Sequence, residues 1–168
     1  MNPIITRAVG ERAEILFSNA LMKRGFVVEG EHTNEVRGEK WKKSKHNLDF
    51  ILSKDNIIYG CEIKNTLAYI NKYELDIKLE MCDYFGIRPL FIVRAAPKNY
   101  IYEIQKVGGY TLIFETQIYP LGQEKLAEKV KETLELPVIC SNGIPKGMID
   151  RFMNWHQKHV NFKTKSPN

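Results

Sequence analysis

Two apolar runs joined by a short turn signal constrain this chain more than anything else in it. NLDFIL (47–52) and IIYGCEIK (57–64) are rich in β-branched and aromatic residues, with Lys54-Asp55-Asn56 between them. They predict an antiparallel hairpin. A two-residue loop at Asp55-Asn56 places Lys54 opposite Ile57 and Asp49 opposite Glu62; a four-residue loop gives the same register, and a three-residue loop slips it by one. Residues directly opposed point to one face, and Lys64, two residues beyond Glu62, shares it. The hairpin thus gathers two acids and a lysine into one patch.

Elsewhere the periodicity switches between helix and strand. Ala13, Leu16, Phe17, Ala20 and Leu21 form one stripe of a helix over about 7–24, closed by Gly25. A short strand begins at FVVEG. A second helix is predicted over 70–86, a buried strand at PLFIVR (89–94), and a short helix at YIYEIQKV. A further strand follows at GYTLIFE (109–115), entered through Gly108-Gly109. A polar helix near 121–134 and a last helix opened by Pro145 complete the chain, and the tail NFKTKSPN is expected to fray. This order predicts a single α/β domain over 1–168, with a mixed central β-sheet flanked by helices. Its core spans about 7–115, and a helical extension runs over about 121–160.

Two opposed carboxylates repel, and one is driven toward protonation unless a cation lies between them. Mg²⁺ suits such a pair, because it takes a couple of carboxylates together with waters and phosphate oxygens. The plainer alternative is a cross-strand ion network in which Lys64 neutralises the acids. Charge elsewhere is uneven. In RGEKWKKSK (37–45), Arg37, Lys40, Lys42, Lys43 and Lys45 face only Glu39, so this segment holds most of the chain's net charge of +5. Beside Trp41, such a cluster suits contact with a phosphate backbone, against the alternative of a solvated loop.

An Asp, twelve residues, then Glu-x-Lys across a strand hairpin, behind a glutamate-bearing helix, resembles the signature of the PD-(D/E)xK nuclease superfamily. That group includes type II restriction enzymes, archaeal Holliday-junction resolvases and many repair nucleases. The likeness covers about 7–115. Two departures stand out: Leu48 replaces a frequent proline, and the helix after Lys64 lacks the Gln-x-x-x-Tyr pattern of the helicase-associated branch. The resemblance implies a restriction endonuclease-like core and a metal-dependent deoxyribonuclease, of restriction, repair or junction-resolving type. Asp49 and Glu62 would bind Mg²⁺, with Mn²⁺ as a substitute. Lys64 would orient the attacking water, its pKa lowered by burial but countered by the acids. The family's first-helix acid falls on Glu11 or Glu14. Glu14 lies about 100° from Ala13 at the margin of the apolar stripe, and Glu11 about 160° away, so Glu14 is chosen as a third metal ligand. DNA is the implied partner, and a homodimer is expected because cutting two strands calls for two sites. The rival reading is a DNA-binding module of this fold that does not cleave.

Other residues carry weaker expectations. His156 lies on the apolar stripe of the last helix and is expected to pack; His159 is expected at the surface, and His32 offers nothing specific. His46 precedes the Asp49 strand, with contact to a phosphate or to the attacking water as its alternative. Tyr69 and Tyr73 are expected to line the helix–sheet junction, with DNA contact as the alternative, and Arg94 either caps its strand or meets a backbone phosphate. Cys61, Cys82 and Cys140 are odd in number and scattered, which fits buried thiols. The opening residues lack the layout of a secretory signal and no apolar run reaches membrane-span length, so a cytoplasmic protein without membrane contact is expected.

Overall fold

A computed structural model describes residues 3–163, with side chains over 7–160. Residues 164–168 of the tail expected to fray lie outside the described residues. Helix α1 (Pro3–Met22) leads into strand β1 (Val27–Thr33) and a short hairpin of β2 (Glu35–Val36) and β3 (Glu39–Lys40). Strands β4 (Leu48–Lys54) and β5 (Ile57–Lys64) follow, then α2 (Lys72–Tyr84), β6 (Arg88–Val93), α3 (Lys98–Lys106) and β7 (Tyr110–Ile113). The chain continues through β8 (Gln117–Tyr119), α4 (Glu124–Leu134), β9 (Val138–Cys140) and α5 (Lys146–Lys163). No helix among the described residues is long and apolar enough to cross a membrane.

A five-stranded sheet has the order β1-β4-β5-β6-β7. Its β1, β4 and β5 are antiparallel, whereas β5, β6 and β7 run parallel. It is therefore mixed, with helices on both faces, as the element order predicts. Lys54 pairs with Ile57 and Phe50 with Cys61, which is the expected register. Asp55 and Asn56 take φ of +52° and +60°. Two successive left-handed residues make a type I′ turn, whose twist matches that of the strands it joins.

On one face, Ala13, Leu16, Phe17 and Leu21 of α1 pack with Phe50, Leu52, Tyr59 and Cys61. Ile149 and Phe152 of α5 lie in the same cluster, so the last helix of the C-terminal extension packs into this core. His156 is fully buried there, between Tyr59 Oη at 2.8 Å and Asp55 Oδ2 at 3.0 Å. On the other face, Ile77, Met81 and Cys82 of α2 cover Leu48 and Ile51. Gly60 of β5 sets how closely α2 approaches, because a Cβ there would stand 2.7 Å from Cys82 Sγ. Strands β8 and β9 pair in parallel around α4 and were not predicted. At three residues each they show no period. Cys61, Cys82 and Cys140 are all free thiols, the first two buried.

Candidate active site

The strand register brings Asp49 and Glu62 together, facing α2. Asp49 Oδ2 accepts a hydrogen bond from the Ile63 N–H at 2.7 Å. Glu62 is only 1% exposed. Its Oε2 receives Lys78 Nζ at 2.7 Å, and Lys78, itself 5% exposed, also donates to the Asn47 carbonyl. Lys64 Nζ stands 2.9 Å from Glu62 Oε1 and 3.0 Å from Glu74 Oε1. Both carboxylate oxygens of this buried acid thus face a lysine ammonium, Oε1 that of Lys64 and Oε2 that of Lys78. Glu14 comes in from α1 and pairs with His32 Nε2 at 3.3 Å.

The electrostatics describe one crowded cluster of acids. Burial raises the Asp49 and Glu62 pKa values, and each gains a further upward push from a neighbouring carboxylate: Glu14 on Asp49, and Asp49 on Glu62. Burial raises Glu14 as well; His32 opposes this and Glu62 adds to it. At Lys64, burial works against the ammonium, but the charges and contacts of Glu62 and Glu74 prevail and raise its pKa. The acids thus do more than balance the lowering expected from burial, and they favour the Lys64 ammonium. Burial pushes Glu74 up, and the Lys64 ammonium outweighs it and holds the carboxyl below its usual range.

Glu74 and Lys78 were missed in the sequence. The signal was there: Lys78 sits three residues after Leu75 and four before Cys82, a core position of α2 where an unpaired lysine would be costly. His32 had no signal, since only the fold of β1 brings it to Glu14.

In the basic segment the structure divides the predicted contacts. Trp41 leaves the set. Its ring is 2% exposed among Val36, Leu48, Ile51 and Met81, with its indole N–H donated to Ser44 Oγ at 2.8 Å, and it has no face free to meet DNA. Arg37 is paired with Glu29 at 3.0 Å and Lys43 with Glu80 at 2.5 Å. Lys40, Lys42 and Lys45 are exposed and share no ion pair with any described residue. Arg94 donates to the carbonyls of Thr66 and Leu67, each at 2.9 Å, so it clamps the loop after β5. His159 Nδ1 lies 2.8 Å from the Trp155 carbonyl oxygen.

Among the described residues, no three His, Cys, Asp or Glu side chains converge at metal-ligand spacing; lysines and His32 engage the oxygens of Glu62, Glu74 and Glu14. The donor set nevertheless fits a hard divalent cation in kind: it is all carboxylate, and it is crowded with like charge. No family model and no curated protein matches the chain.

Proposed function

We propose that this chain is a Mg²⁺-dependent endonuclease that hydrolyses DNA phosphodiester bonds, related to the PD-(D/E)xK superfamily. The observation that carries the reading is the buried Glu62 beside Asp49 and Lys64 on one hairpin face, a crowding of acids in which burial and each neighbouring carboxylate raise the carboxyl pKa values. Asp49 and Glu62 would hold the ion, with Glu14 as the third acid. A bound Mg²⁺ supplies Lewis acidity and lowers the pKa of a coordinated water.

The chain's own residues do the rest. The Ile63 N–H and Lys78 fix the Asp49 and Glu62 carboxylates before substrate arrives, and such preorganisation costs no rearrangement during reaction. As the ammonium that Glu62 and Glu74 favour, Lys64 would donate hydrogen bonds, either to the attacking water or to a phosphate oxygen gaining charge. Glu74 holds the Lys64 ammonium at 3.0 Å and sets where it points. Lys40, Lys42 and Lys45 lie upstream of β4 and would grip the flanking backbone. A homodimer would supply the second site that cutting both strands requires.

A second reading has an observation of its own. No three acids converge among the described residues, and two lysines already compensate Glu62. This would suit a DNA-binding module of the same fold that does not cleave. Supercoiled plasmid, linear duplex and a four-way junction, each with Mg²⁺ and with EDTA, separate the two. The nuclease cuts at least one of them only with metal, whereas the binding module retards them in both conditions and cuts none.

A further inference from the structure

Two tyrosines beside the site stand where a core role cannot account for them. Tyr69 is 57% exposed and Tyr73 is 69% exposed, against the expectation that they line the helix–sheet junction. Both lie in the short stretch between Lys64 and Glu74, the two groups that share an ion pair at 3.0 Å. Across the site's mouth, His46 stands three residues before Asp49, and its ring meets that of Tyr73 edge-on, with centroids 6.0 Å apart at 70°. The pair thus spans from the approach to β4 to the first turn of α2.

These rings sit on held backbone. Arg94 clamps the carbonyls of Thr66 and Leu67, and Asn71 Oδ1 accepts the Glu74 N–H at 2.8 Å to cap α2. Exposed apolar area is unfavourable in water, and rigid placement reduces the ordering cost of a bound partner. The exposed ammonium groups of Lys42 and Lys45 lie immediately upstream of His46. Aromatic faces beside phosphate-seeking cations match the chemistry of an unpaired nucleic acid strand, whose bases stack on aromatic rings while the backbone tracks positive charge. In a paired duplex the base faces are already covered by their neighbours.

We propose that Tyr69 and Tyr73 form a stacking rim for unpaired bases, so that the site acts on DNA with single-stranded or splayed nucleotides beside the bond to be cut. The substrate assignment rests on the nuclease reading; the stacking itself does not require catalysis.

The test is binding measured by fluorescence anisotropy in EDTA, with a labelled single strand, a duplex carrying an unpaired bubble, and a fully paired duplex. Tyr69→Ala/Tyr73→Ala is expected to weaken binding to the first two by at least about tenfold and to the paired duplex by less than about twofold. Tyr69→Phe/Tyr73→Phe, which keeps both rings, is expected to stay within about twofold of wild type on all three. Equal loss on every substrate, no loss on the single strand, or a wild-type preference for paired duplex each overturns the proposal. Cleavage by wild type with Mg²⁺ is read in parallel. Absent cleavage with a tyrosine-dependent single-strand preference sinks the nuclease reading alone; cleavage with an unaffected double alanine variant sinks the stacking rim alone.

Discussion

Removing the ammonium of Lys78 would strand the Glu62 carboxylate, 1% exposed, without its hydrogen-bonded counter-ion. Breaking one half of a buried ion pair costs more than the intact pair contributes, so Lys78→Met is expected to destabilise the fold in urea unfolding, by less than the about 3–5 kcal/mol of a fully stranded charge because Lys64 still stands 2.9 Å from Glu62. Adding Glu62→Gln should recover much of that loss, because no buried charge then remains unpaired. Asp49→Ala and Lys64→Ala, in contrast, are expected to abolish cleavage while leaving DNA retardation nearly intact; full cleavage by either would contradict their roles. The acids also predict a pH dependence. Burial holds Glu14, Asp49 and Glu62 above the usual carboxylate range, so the folded state binds more protons than the unfolded chain just above that range. Their contribution is therefore most favourable at low pH and falls as pH rises through the folded pKa values. A divalent cation favours the ionised forms, so Mg²⁺ should raise Tm more at about pH 8 than at about pH 5. An equal shift at both would mean that the ion does not engage these groups.

At the scale of elements, the packing of α2 on β5 places Glu74 and Lys78 over the acids. Gly60 permits that approach. A methyl at this position would meet Cys82 Sγ at 2.7 Å and Ile87 Cδ1 and Leu48 Cδ1 at 3.0 Å, all in a filled core. Gly60→Ala is expected to cost about 1–3 kcal/mol and to lower cleavage by displacing Glu74 and Lys78; unchanged thermal unfolding would show that α2 yields freely. The hairpin itself was legible in the sequence because Asp55-Asn56 tolerates the left-handed turn and the strand period fixes which face Asp49 and Glu62 share. Lys78 was less legible because a lysine reads as polar until the fold shows it 2.7 Å from a buried acid. Trp41 misled for the opposite reason. Five neighbouring cations suggested a surface ring, while its burial depends on Val36 and Met81, which sequence spacing does not connect to it. Strands β8 and β9 escaped because pairing between three-residue segments on either side of α4 is a tertiary fact.

For the whole molecule, the charge map separates cations that are free from those already spent. Arg37 and Lys43 sit in ion pairs, whereas Lys42 and Lys45 face solvent. Neutralising Lys42 and Lys45 together should weaken duplex and single-strand binding alike and reduce the slope of log K against log salt by about 1.4–1.8. An unchanged slope would remove this segment from the interface. Asp49 and Glu62 are proposed to hold a divalent ion where the hairpin, helix α1 and helix α2 meet. Titration calorimetry with Mn²⁺ tests this without DNA or turnover. Saturable binding by the wild type that is lost in Glu62→Gln is the predicted result; heats that are absent in wild type, or identical in the variant, would contradict it.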